Sequence, residues 1–178
     1  MQDSEKLIFR NLSPEEIPDW LAFLSNEIFA GDPPEAVSAI WENNRERSTN
    51  GIFIAADRNG SIAGSVCAEC RTLLFRGFPI LTGIISGVGV KKEFRGAGIS
   101  RTLFDMCHEY LNSRGVSAAY LYSKPDTLEY YRRLGYADCR MRQGEDFYRM
   151  LRLIRPFRVG STRIGCTEEL IDFIETPE

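Results

Sequence analysis

The sequence holds a single histidine, His108, among 178 residues. A histidine-rich metal centre is therefore out of reach, and any zinc site would have to be built on cysteine. Cysteine is also scarce: Cys67, Cys70, Cys107, Cys139 and Cys166. An odd count in a chain this long argues against a secreted disulfide framework. Cys67 and Cys70 have the spacing of a redox or zinc pair, but no second such pair follows. They also lie in a stretch that reads as a strand, where positions three apart face opposite sides. All five are read as ordinary reduced cysteines, and no metal is expected. Basic charge is not in excess: 22 Lys and Arg stand against 25 Asp and Glu, for a net charge of −3. That gives no general footprint for nucleic acid. The charge-free run from Gly77 to Val90 carries four glycines. It falls short of the about 20 apolar residues that a membrane-spanning helix needs. Met1 to Arg10 contains Asp3 and Glu5 and lacks an apolar signal core. The expectation is a cytoplasmic protein with no nucleic-acid or membrane partner.

What is present is ordinary globular chemistry, with 43% hydrophobic and 26% charged residues. The length suits one domain. Lys6 to Asn11 reads as a first strand. Ser13-Pro14-Glu15-Glu16 reads as a helix start, with serine as cap and glutamate three residues on. Ile17, Trp20, Leu21, Leu24 and Ile28 carry the helix to about Phe29. Asp32-Pro33-Pro34-Glu35 starts a second helix with Val37, Ile40 and Trp41 on one side. Gly51 to Asp57 and Ser61 to Leu74 are strand-like, with a hairpin signal at Asn59-Gly60. A turn at Phe75 to Phe78 leads into a strand from Pro79 to Val90. Then come a helix over Gly98 to Arg114, a strand over Ser117 to Ser123 and a short helix over Pro125 to Leu134. Tyr136 to Arg142 and Asp146 to Arg155 close the pattern as a strand pair. The order is β-α-α-β-β-β-α-β-α-β-β, an α/β (α+β) fold with a mixed, mostly antiparallel sheet flanked by helices. Residues 1–155 are read as one domain and residues 156–178 as a C-terminal appendage with a short helix after Thr167.

The segment that carries chemistry runs from Gly87 to Ser100. A strand passes into a basic loop with glycines and then into a helix. Glycines let a backbone approach a ligand closely, N–H groups at a helix start point outward, and the helix dipole adds positive potential. Arg95 can add a charge-assisted contact to a phosphate. The pattern lacks the Gly-Lys-Ser/Thr ending of a Walker loop and the third glycine of a dinucleotide fingerprint.

Arg95-x-x-Gly98-x-Ser100 resembles the acyl-CoA loop of the GNAT superfamily of N-acetyltransferases, with Ser100 in place of a last Gly or Ala. Tyr130-Tyr131-Arg132-Arg133-Leu134-Gly135-Tyr136 is similar to the family's aromatic-Tyr-x-x-x-Gly-aromatic segment, and follows a helix and a strand as that family requires. The run Ser86 to Val90, with Leu121-Tyr122-Ser123 and Tyr131, resembles the N-terminal domain of the enhanced-intracellular-survival (Eis) type acetyltransferases. The resemblance covers roughly Leu7 to Arg155.

It implies an acetyl-CoA-dependent N-acetyltransferase that moves an acetyl group to a primary amine by direct attack on the thioester. Acetyl-CoA would be a co-substrate. Main-chain groups of Val88, Gly89 and Val90 would hold its pantetheine arm, and Arg95, Gly96, Ala97, Gly98, Ile99, Ser100 and Arg101 would hold its diphosphate. Gly87 and Gly89, lacking side chains, are read as suiting close approach of the ligand or a bulge. Tyr131 would be the general acid. The base is not evident; Glu69, the α-carboxylate of Glu178 and a water chain are candidates. His108 is read as a surface or packing residue, since no partner for it is visible. The acceptor is a small-molecule or protein amine, and a homodimer is allowed. A CoA-binding regulatory or assembly module without turnover is the alternative.

Overall fold

The computed structural model describes residues 7–30, 32, 35–37, 39, 51–143 and 147–175. Strand β1 (Ile8–Asn11) is followed by a 3-10 turn (Pro14–Glu16) and helix α1 (Ile17–Glu27). The turn is locked by Glu16, which accepts from the Ser13 backbone N–H at 3.0 Å and the Ser13 hydroxyl at 2.8 Å. The same carboxylate takes a two-pronged pair from Arg10 at 2.6 and 2.7 Å. Of the expected second helix, residues 35–37 and 39 are helical, and the remainder, with Ile40 and Trp41, lies outside the described residues.

Next come β2 (Ile52–Ala56), β3 (Ile62–Phe75) and β4 (Phe78–Val90), then α2 (Ile99–Ser113), β5 (Ala118–Ser123), α3 (Leu128–Arg133), β6 (Ala137–Gln143) and β7 (Phe147–Leu153). The seven strands form one sheet in the order β1-β2-β3-β4-β5-β7-β6. The sheet is mostly antiparallel and is flanked by helices. β4 and β5 run parallel, with Thr82, Gly83 and Ile84 opposite Ala118, Ala119 and Tyr120. The turn between β3 and β4 puts both Arg76 and Gly77 at positive φ, 50° and 77°, the backbone of a tight hairpin. A hairpin of β8 (Phe157–Val159) and β9 (Thr162–Ile164) and helix α4 (Thr167–Glu175) follow. That last hairpin was not visible in the sequence, because its strands are too short to show alternation.

The chain divides into two compact units, residues 1–67 with 87–107 and residues 68–86 with 108–178. In the first, one face of α1 buries Trp20, Phe23 and Leu24 against Ile52, Ile54, Ala56, Ile62 and Cys67. The second has its own core: Phe75, Ile80, Ala118, Cys139 and Leu151 with Val159, Ile164 and Leu170 from residues 157–175. Gly83 of β4 is crossed by α2, since a Cβ there would lie 2.6 Å from Leu111 Cδ1.

Candidate active site

In the first unit, β4 ends in the loop that the sequence singled out. Lys91 N–H continues the ladder to the Ala63 carbonyl at 2.9 Å. A 3-10 turn spans Lys92–Phe94. Arg95 Nε then donates back to the Val90 carbonyl at 3.0 Å, closing the turn. Gly96 and Gly98 both adopt positive φ, 85° and 76°, a conformation that glycine takes without a Cβ penalty. A Cβ at either would meet nothing within 4 Å. The first bond of the following helix runs from Thr102 N–H to the Gly98 carbonyl at 3.2 Å. Among the described residues, the N–H groups of residues 98–101 have no hydrogen-bond acceptor. Residues 95–98 are exposed. The loop therefore offers a row of free donors, an open cradle and the start of a fifteen-residue helix, which together favour an anion. A diphosphate fits this donor set. Arg101 is exposed one turn into the helix, and Lys91 Nζ donates to the Ser61 hydroxyl at 3.1 Å.

Gly87 and Gly89 lie beside residues of α1 and its C-terminal end. A Cβ on Gly89 would lie 2.6 Å from Ile28 Cγ1, and one on Gly87 3.4 Å from Leu24 Cδ2 and 3.5 Å from Trp20. Gly87 also takes a φ of 59°, and its carbonyl accepts from the buried Ser65 hydroxyl at 2.6 Å. The strand bends there, and Val88, Gly89 and Val90 follow as its half-buried end.

In the second unit, Tyr131 sits in α3. Its carbonyl accepts from Leu134 N–H at 3.0 Å and Tyr136 N–H at 3.1 Å, and Gly135 at φ 84° turns the chain. This is a glycine-terminated helix end, the physical reason for the Gly that the sequence carries there. The ring stands edge-on to Tyr130, centroids 5.1 Å apart, and to Tyr136 at 6.3 Å. Burial, with a smaller contribution from Tyr130, pushes the Tyr131 phenol up to about 12. It stays protonated across the working pH range.

Two residues differ from the sequence reading. His108 is far from partnerless. Its Nδ1 lies 3.0 Å from Arg152 Nη1 and its Nε2 lies 2.8 Å from the Tyr136 hydroxyl. The signal was out of reach in sequence, because Arg152 and Tyr136 lie 44 and 28 residues away. Glu69 pairs with Arg71. Cys67 is buried and Cys70 half-buried on β3, and all five cysteines are free thiols. Among the described residues, no group of three or more His, Cys, Asp or Glu could hold a metal ion. No helix among them is long and apolar enough to cross a membrane.

Strand order, with one parallel pair in an otherwise mostly antiparallel sheet, makes this a mixed α/β domain. Residues 9–139 match the profile of the acetyltransferase (GNAT) domain family, and the chain belongs to that family. No curated protein matches significantly. Among solved structures, the chain is similar to the GNAT family N-acetyltransferase YhbS from Escherichia coli in complex with CoA. Identity is 18% and the TM-score 0.66, over 86% of this chain and 84% of that one. An acetyltransferase from Trypanosoma brucei is 25% identical with a TM-score of 0.61, over 79% of this chain and 99% of that one. A probable N-acyltransferase from Enterococcus faecalis V583 is 16% identical with a TM-score of 0.64. That match covers 75% of this chain but 33% of the other, so this chain spans about a third of that protein's length.

Proposed function

We propose that the protein is an acetyl-CoA-dependent N-acetyltransferase acting on a primary amine. The observation that carries this is the row of unbonded N–H groups over residues 98–101, in a cradle kept open by Gly96 and Gly98, within a chain of the GNAT family. These groups would bind the diphosphate, with Arg95 and Arg101 adding charge. The main chain of Val88, Gly89 and Val90 would bind the pantetheine amides as an added strand would. Acetyl-CoA supplies an activated acyl group on a sulfur leaving group.

Tyr131 would donate its O–H to that sulfur as the C–S bond breaks. Held near 12 by burial, the phenol carries its proton at neutral pH and so can act as general acid or hydrogen-bond donor to the charge that develops on the departing sulfur. For deprotonation of the amine the candidates are Glu69 and a water chain.

Thiol release from acetyl-CoA over a panel of amines, with amino acids, polyamines, aminoglycosides and lysine peptides, tests the reading. It predicts release that depends on at least one amine. CoA binding without amine-dependent release across the panel would support the regulatory or assembly module instead.

A further inference from the structure

We propose that His108, locked by Arg152, is a positioning residue that acts through Tyr136 on the Tyr131 phenol; this rests on the reading of Tyr131 as donor to the leaving sulfur. The hydrogen-bond chemistry assigns one state to the imidazole. Arg152 can only donate, and one of its Nη1 hydrogens faces His108 Nδ1 at 3.0 Å while Nη1 also donates to the Leu134 carbonyl. Nδ1 is therefore the bare acceptor nitrogen, and the ring proton sits on Nε2. Nε2–H then donates to the Tyr136 oxygen at 2.8 Å. The other tautomer would set N–H against N–H at Arg152, and the doubly protonated ring would set two cations together.

The frame holds α3 at its exit. Arg152 binds the Leu134 carbonyl, one of the acceptors a helix end leaves open. A Cβ on Gly135 would lie 3.6 Å from the Arg152 guanidinium, so the turn fits beneath it. Tyr136 is 2% exposed, and its ring is fixed at the hydroxyl by His108 and at the edge by Tyr131, 6.3 Å away at 75°. Its backbone N–H is bonded to the Tyr131 carbonyl. Tyr131 is thus referenced, by ring and by main chain, to one residue whose hydroxyl a half-buried imidazole holds. A donor that must meet sulfur at hydrogen-bond distance gains from such a frame, since misplacement by about 1 Å costs as much as 10²-fold.

The test is a double-mutant cycle on thiol release at saturating acetyl-CoA, with the best amine of the panel and unfolding midpoints measured alongside. Tyr136→Phe keeps the ring and removes the hydroxyl. It should lower kcat about tenfold and leave KM for acetyl-CoA within twofold. In a Tyr131→Phe background it should change kcat less than twofold. His108→Leu should behave like Tyr136→Phe, whereas His108→Gln, whose amide can accept from Arg152 and donate to Tyr136, should recover most of the rate. The same loss in both backgrounds, or no loss with Tyr131 present, overturns the proposal. Full activity in Tyr131→Phe alone would instead remove the donor reading beneath it. A readout independent of turnover is the 13Cζ resonance of Tyr131, assigned by its loss in Tyr131→Phe. It should move in Tyr136→Phe and His108→Leu and stay near the wild-type position in His108→Gln; an unmoved resonance in all three counts against the proposal.

Discussion

Acidification from pH 7 to pH 5 should weaken the fold through His108. Burial first, and the nearby Arg152 charge second, lower the imidazole from 6.5 to about 3. The folded state therefore keeps His108 neutral where the unfolded chain already binds a proton. This stability is fully present above 6.5 and declines as pH falls towards about 3, at about 1.4 kcal/mol per pH unit within the window. Between pH 7 and pH 5 the loss from this one group is about 2 kcal/mol. Glu16, held down to about 2, titrates mainly below this interval, so it does not mask the effect. The assay is urea unfolding at both pH values for the wild type and His108→Gln, compared at constant m. Gln cannot titrate, so its loss should be smaller by about 2 kcal/mol. Equal losses in the two proteins would refute the burial and the Arg152 contact together.

Three other outcomes follow from individual contacts. Gly98→Val should weaken acetyl-CoA binding at least tenfold, about 1.4 kcal/mol by calorimetry, because a side chain there enters the open cradle and the residue must keep a φ of 76°. Unchanged affinity would detach the loop from the cofactor. Gly83→Ala should destabilise the protein by about 1–3 kcal/mol, as overpacking does, since the new methyl meets the fully buried Leu111 at 2.6 Å; an unshifted unfolding midpoint would contradict it. The Arg10–Glu16 pair, 37% and 18% exposed, should couple by no more than about 1 kcal/mol at pH 7 in a double-mutant cycle. That coupling should persist down to about pH 4.5 and disappear as pH falls towards about 2.

Much of the fold was legible because its rules are local. Pro14 with Ser13 and Glu16 marked a helix entry, Gly135 a helix end, and Asn59-Gly60 a hairpin turn, and each signal is satisfied by neighbours within a few residues. The glycine loop was legible for the same reason: Gly96, Gly98 and the start of α2 are contiguous. The helix appears as a 3-10 turn over Pro14–Glu16 before α1 begins at Ile17, a boundary that caps do not resolve. What failed was long-range. The sequence could not say that Ile28 lies where a Cβ on Gly89 would fall. Nor could it bring Arg152 and Tyr136 to His108. Short strands such as Phe157–Val159 carry too few residues for a period to show.

The proposed function stands or falls with Tyr131 as the donor to the sulfur that leaves acetyl-CoA. Steady-state thiol release by Tyr131→Phe and Tyr130→Phe, on any accepted amine, tests it most directly. Phe keeps the ring packing and removes only the hydroxyl. Tyr131→Phe should lose about 10²-fold or more in turnover with acetyl-CoA affinity held within a few-fold, because the donor acts chiefly in the transition state, and Tyr130→Phe should lose much less. Turnover above about half of wild type in Tyr131→Phe, with chemistry rate-limiting, would contradict the account; a large loss in Tyr130→Phe instead would move the donor to the neighbouring ring.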